Sequence, residues 1–427
     1  MVHETTSAFT SAVSEHERAR VHRRTLTVVI ASQILGGAGL AAGISVGALL
    51  AQDMLDSDGL AGLPTGLFTL GSALAAFLVG RSTRAFGRRR GLAFGFLAGG
   101  VGAAGVVIAA QADSVPLLFA ALFVYGAGTA TNLQARYAGS DLALPRRRGF
   151  GTSMAMVATT LGAVAGPNLI EPMGTLATSL GIPALAGPFL LAAVAYSSAG
   201  VVLFAFLRPD PYLLARQIAA TTAPAVRPGR TAGRARVGTG AYVGALIMVL
   251  TQIAMVAIMT MTPVHMSAHH HGLGAVGLVI GMHVGAMWLP SLFTGTLVDR
   301  VGRFPVAIAA GATLLGAGVL AALAPGDSLG LLVLALVLLG VGWNLGLVSG
   351  TALVVDATVP ENRPQTQGTI DVLIALAGAG GGAASGLLMT ATSFQILALT
   401  GGVLAVLLVP VLLGNRRRLA ADVPPPQ

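Results

Sequence analysis

Methionine and histidine are unevenly spread along this 427-residue chain. Seven of its 13 Met and five of its 8 His fall between positions 248 and 287. Met255 and Met259 stand four residues apart, which sets both thioethers on one face of a helix, and Met248 and Gln252 extend the stripe. His283 and Met287 repeat the spacing. Thioether sulfur is a soft ligand that favours Cu(I), and imidazole also suits copper. Such a neutral set costs little to leave empty in an apolar medium, unlike a cage of carboxylates. Brought to one depth on adjacent helices, the two pairs would offer three sulfurs and one imidazole. The plainer reading is packing, because Met is a flexible apolar filler. Between the pairs lie His265, Met266, His269, His270 and His271. They read either as a metal-capture site at an entrance or as a solvated loop.

The elements that must carry these residues follow from composition. The chain is 54% hydrophobic and 10% charged, with a mean hydropathy of +0.80. Soluble domains carry about 25% charged residues. The absence of Cys excludes disulfides, thiolate metal sites and a cysteine nucleophile. The net charge of +9 comes from Arg alone. Apolar runs long enough to span a bilayer fall near 25–50, 61–82, 91–111, 115–136, 150–170, 184–207, 241–264, 273–298, 304–324, 328–352, 367–391 and 393–413. Arginines cluster at 18–24, 81–90, 136–148, 208–236, 300–303, 363 and 416–418, so twelve spans put all of them on one side. The positive-inside rule makes that side cytoplasmic, with both termini inside. This distribution favours a bilayer, not nucleic acid, as the partner. The first 24 residues are polar and the first apolar run is too long for a signal peptide, so no cleavable leader is expected.

The chain divides into two halves. A cytoplasmic tail (1–24) precedes a six-helix half (25–207), and an Arg-, Pro- and Ala-rich stretch (208–240) reads as a flexible linker. A second six-helix half (241–413) and a tail (414–427) follow. Gly80, Gly87 and Arg88 recur as Gly295, Gly302 and Arg303, an offset of 295 − 80 = 215. Asp141 and Pro145 recur as Asp356 and Pro360 at the same offset. Halves related in this way place a substrate path at their interface. The expected fold is an all-α membrane protein of twelve transmembrane helices.

The run Gly295-Thr-Leu-Val-Asp299-Arg300-Val-Gly302-Arg303 resembles the signature loop of the major facilitator superfamily, which joins helices two and three and, here, eight and nine. A gating or structural role for these residues follows from that resemblance. The first-half copy departs from it, with Arg84 where the acid should stand. The MxxxM and HxxxM pairs, and the spacing between them, resemble those of the CcoA-like copper importers of that superfamily. That resemblance implies copper ligation by Met255, Met259, His283 and Met287 during uptake. The family that the chain resembles is divided between copper and riboflavin transporters, so an organic solute is the alternative cargo, and proton-coupled drug efflux a third. Subtracting 215 maps the four residues onto Leu40, Ile44, Phe68 and Ser72, so the fold itself does not demand them.

Other polar residues inside the spans are candidates for coupling or for lining a cavity. Asn132 and Arg136 share a face of helix four; Arg136 reads as a gate that pairs with an acid or as an Arg reaching the interface. Asn344 and Trp343 lie on helix ten, and Asp371, one turn into helix eleven, is the candidate for a coupling proton. No nucleotide loop, paired carboxylates or nucleophile constellation points to an enzyme. The reading is a monomeric secondary transporter of a bacterial inner membrane, with copper as cargo and no prosthetic group.

Overall fold

The computed structural model describes residues 15–55, 63–222 and 237–422, and the regular structure among them is helical. That is the outcome expected where lipid offers no partner for backbone N–H and C=O groups. The first half comprises α1 (Glu15–Leu55), α2 (Leu63–Phe86), α3 (Arg88–Gln111), α4 (Val115–Ala138), α5 (Arg148–Asn168), α6 (Ile170–Ser179) and α7 (Gly187–Phe206). A short helix, α8 (Pro211–Thr222), leads out of it. The second half comprises α9 (Thr239–Ala268), α10 (Leu273–Trp288), α11 (Ser291–Val301), α12 (Arg303–Leu323), α13 (Leu329–Asp356), α14 (Arg363–Ala391), α15 (Phe394–Val406) and α16 (Leu408–Asp422). Among the described residues, ten segments are long and apolar enough to cross a membrane. α1 and the α5–α6 segment fill the other two of the twelve expected places. The eighth and twelfth spans are each broken, at Leu289–Pro290 and at Leu407.

Two places depart from the sequence reading. α1 begins at Glu15, within the polar tail, ten residues before its apolar run. The stretch read as a flexible linker opens with α8, because Asp210 accepts hydrogen bonds from the amides of Tyr212 (3.0 Å) and Leu213 (3.1 Å) and caps the helix. Asp210 also accepts from the Arg89 amide (2.8 Å), which ties α8 to the start of α3. Linker residues 223–236 lie outside the described residues.

Each half has its own core. Phe96, Tyr125, Phe189 and Tyr196 centre the first. Met255, Met287, Trp288, Leu336 and Trp343 belong to the second, which also takes in Met156 from the first half. Large apolar side chains such as Phe293 and Leu323 are 75% exposed, a surface suited to lipid. The halves are tightly joined at the Arg-rich end. α14 shows the gradient: Arg363, Gln367, Asp371 and Ile374 are buried, but beyond Ile374 only Gly381 and Ser385 are.

Candidate functional site

The second-half core gathers three of the four proposed ligands. Met255 and Met287 are buried in it, and Met259 packs against it half-buried. The two helices that carry the pairs are not packed together as a hairpin. α9 and α10 scarcely touch, and α13 packs extensively against both. The residues are therefore joined through α13, where Trp343 donates from Nε1 to Gln252 Oε1 (2.7 Å) and meets Trp288 edge to face. Asn344 Nδ2 donates to the Met287 carbonyl (2.8 Å) and to Ser291 Oγ (2.6 Å), which fixes the end of α10.

His283 is fully buried against α13. Its Nδ1 lies 2.8 Å from the Leu336 carbonyl oxygen. A carbonyl only accepts, so Nδ1 carries the proton and the lone pair of the neutral ring falls on Nε2. Nε2 is buried and has no hydrogen-bond partner among the described residues. A backbone carbonyl that holds one ring nitrogen and frees the other is the usual support behind a metal-binding imidazole.

The outer histidines do not converge on one point. His265 is buried, stacked on Phe394 (centroids 4.2 Å, 11°), with Nε2 unpartnered. His269 lies 4.4 Å from it ring to ring and donates from Nδ1 to the His265 carbonyl (2.8 Å). His271 turns away to the Gly326 carbonyl (2.8 Å), and His270 is exposed at a positive φ of 61°. Met266 is buried in the second-half core. Among the described residues no three His, Asp or Glu side chains are grouped closely enough to hold a metal ion.

Deeper toward the Arg-rich end, the halves meet through buried charge. Arg136 on α4 donates from Nη2 to Asp371 Oδ1 on α14 (2.8 Å), and both side chains are 1% exposed. Tyr137 adds its hydroxyl to the same carboxylate oxygen (3.3 Å). Arg136 Nε also donates to Thr351 Oγ1 (3.2 Å), its own mate at the 215-residue offset. Asp371 lies eight residues inside α14, two turns and not one, because the helix starts at Arg363. Asn132 belongs to a separate first-half cluster: Gln33 Nε2 donates to the Asn132 carbonyl (3.0 Å) and to Thr159 Oγ1 (3.0 Å).

The Arg-rich end is built on the repeat. Arg88 pairs with Asp141 (2.8 Å) in one half, and Arg303 pairs with Asp356 (3.0 Å) in the other. Gly87 and Gly302 precede these arginines with φ of 89° and 104°, a backbone that L side chains rarely adopt. Across the halves, Arg148 reaches Asp356 (2.5 Å). Asp299 accepts from the amides of Gly149 (3.0 Å) and Phe150 (2.9 Å) at the start of α5, and so caps a helix of the opposite half. Gly149 and Gly295 let α5 and α11 touch backbone to backbone. Arg300, by contrast, is exposed. On the other seam, Arg84 donates to Gln365 Oε1 (2.5 Å) and Arg88 to Gln367 Oε1 (2.5 Å).

Residues 26–345 and 244–426 match the family model described as Major Facilitator Superfamily. The chain belongs to the major facilitator superfamily. It is 58% identical over 416 residues, 97% of each chain, to the "Uncharacterized MFS-type transporter YdeG" of Bacillus subtilis. It is 32% identical to the riboflavin transporter RfnT of Brucella anthropi, over 83% of this chain and 86% of that one. Among solved structures, the human organic anion transporter MFSD10 superposes with a TM-score of 0.71 at 19% identity, covering 92% of this chain and 99% of that one, a likeness of fold. The chain is thus a multi-pass membrane transporter.

Several site residues escaped the sequence reading. Gln33 and Thr159 are isolated polar residues in apolar runs, with no spacing to single them out. Thr351 and Arg148 had a signal: they are the 215-residue mates of Arg136 and Arg363.

Proposed function

We propose that this transporter carries copper into the cell by alternating access, with Met255, Met259, His283 and Met287 as successive or shared ligands. The Arg-rich end is the cytoplasmic one on this reading, in a bacterial inner membrane. The observation that carries the proposal is the buried, unpartnered Nε2 of His283, one helical turn from Met287 and held on Leu336, which shares its core with Met255. A buried nitrogen with no partner is costly unless something fills it. A soft cation suits a nitrogen set among thioethers. His265, with its own unpartnered nitrogen, would serve as a first station at the mouth.

A second reading, uptake of an organic solute, rests on the similarity to the riboflavin transporter. On that reading Trp288, Trp343 and the Met stripe form an aromatic and apolar wall. Purified protein competing with a chromogenic chelator for Cu(I), beside riboflavin titrated by its fluorescence, separates the two. The copper reading expects Cu(I) binding that weakens by more than about tenfold in His283→Ala, in line with the loss of a ligand. Quenching of riboflavin without Cu(I) binding would replace it with the second.

A further inference from the structure

The Arg-rich end contains a cavity that none of the proposed copper ligands lines. It measures about 320 Å³ and lies where α1, α5, α8 and the segment before α14 meet. Arg18, Asp141, Arg148, Asp356 and Arg363 line it, and Ile218 of α8 forms part of its wall. Three guanidiniums against two carboxylates leave 3 − 2 = +1 on the lining. Both carboxylates are also held by further arginines, Asp141 by Arg88 and Asp356 by Arg303. Their negative charge is therefore spent.

The repeat makes the imbalance specific. Arg148 and Arg363 are mates (363 − 148 = 215), as are Asp141 and Asp356. Arg148 closes on Asp356 at 2.5 Å. The symmetric ion pair is looser, with Arg363 Nη1 4.0 Å from Asp141 Oδ1. Arg363 instead donates to neutral acceptors, the Thr358 hydroxyl and carbonyl and the Val355 carbonyl. Nε of Arg148 is buried without a partner. Arg18, at the first-half wall, donates to the carbonyls of Leu142 (3.0 Å) and Ala143 (3.1 Å).

We propose that this cavity binds a phosphate-type oxyanion, with Arg363 and Arg148 as its main ligands and Arg18 at the wall. Guanidinium forks match the geometry of such an anion. Arg363 belongs to one half and Arg18 and Arg148 to the other, so the site is complete only while the halves are closed at this end. An anion that binds this state alone holds the transporter in it; at ten times its Kd it shifts the equilibrium about elevenfold. The anion is a cytosolic phosphate compound or the headgroup of an anionic lipid. The inference rests on alternating access and not on the identity of the cargo.

The chain has no Cys, so a labelled pair at the exposed positions Arg146→Cys and Glu361→Cys reports the gap between halves. Inorganic phosphate is titrated against chloride at matched ionic strength, on the full chain in nanodiscs of zwitterionic lipid. The expected result is a phosphate-dependent gain of the short-distance population. That gain is lost in Arg363→Gln and reduced in Arg18→Gln, the second variant guarding against a folding defect in the first. Nanodiscs containing phosphatidylglycerol that close without phosphate, again dependent on Arg363 and Arg18, identify a lipid headgroup as the anion. No shift with either probe, or an equal shift in wild type and both variants, overturns the proposal.

Discussion

Removal of the Asp299 carboxylate should open the Arg-rich end. This side chain is 5% exposed and accepts two amide hydrogen bonds, 3.0 and 2.9 Å, from the first residues of α5 in the opposite half. Hydrogen bonds to a charged group contribute about 1.5–3 kcal/mol each, and water recovers part of that when the halves separate. A net loss of about 2–3 kcal/mol is therefore expected on Asp299→Ala, and each 1.4 kcal/mol is a factor of ten. The closed-to-open equilibrium should move by roughly 30- to 150-fold. Asp299→Asn keeps one accepting oxygen and should give a smaller shift. The assay is the label-distance distribution between Cys at 146 and 361, which should lengthen. The mirrored position sharpens the test. Arg84 stands in place of the acid, and the mates of Gly149 and Phe150 are Pro364 and Gln365. Pro364 has no N–H, so an acid at 84 would find one amide where Asp299 finds two. Arg84→Asp should change the distribution by less than about tenfold, in keeping with a single hydrogen bond. An Asp299→Ala distribution within threefold of wild type would refute the capping argument.

Three further outcomes follow from the same geometry. Asp371→Ala strands the buried guanidinium of Arg136 and should cost about 3–5 kcal/mol in detergent unfolding, whereas Arg136→Gln/Asp371→Asn should recover most of it. An unchanged melting curve for the single variant would count against the pair as a structural tie. Gly295→Val puts a side chain against the Gly149 carbonyl and Ser153, so α5 and α11 should part and the label distance grow with only modest loss of stability. Asp210→Ala removes the acceptor for three amides and should fray α8 by about 1–2 kcal/mol; hydrogen exchange at Tyr212 and Leu213 would read it, and unaltered protection would contradict it.

The fold was legible because lipid as solvent leaves few options. Apolar runs of spanning length and one-sided arginines mark helices and their order before any packing is known. The repeat was legible too, and it named Arg88, Asp141, Arg303 and Asp356, whose pairing in the structure is twofold at a single offset. Spacing along one helix carried less. It set Met255 beside Met259 and His283 beside Met287, but not that α13 stands between the helices that bear them. Which face of His283 is free depends on the Leu336 carbonyl, 53 residues away, and no local pattern encodes that. Gln33 was invisible for the same reason, its partners Asn132 and Thr159 lying on two other helices. The start of α1 and the helix α8 were hidden by polarity, because a capping Asp and a continuing helix overrode a composition that reads as loop.

The proposed Met and His path is a route for copper. Its most direct test is radioactive copper uptake, under reducing conditions, into cells expressing wild type, Met259→Ala or His283→Ala at equal membrane levels. Uptake above vector controls is expected for wild type, and its loss in both variants. Uptake equal in all three, or no greater than in the controls, contradicts it.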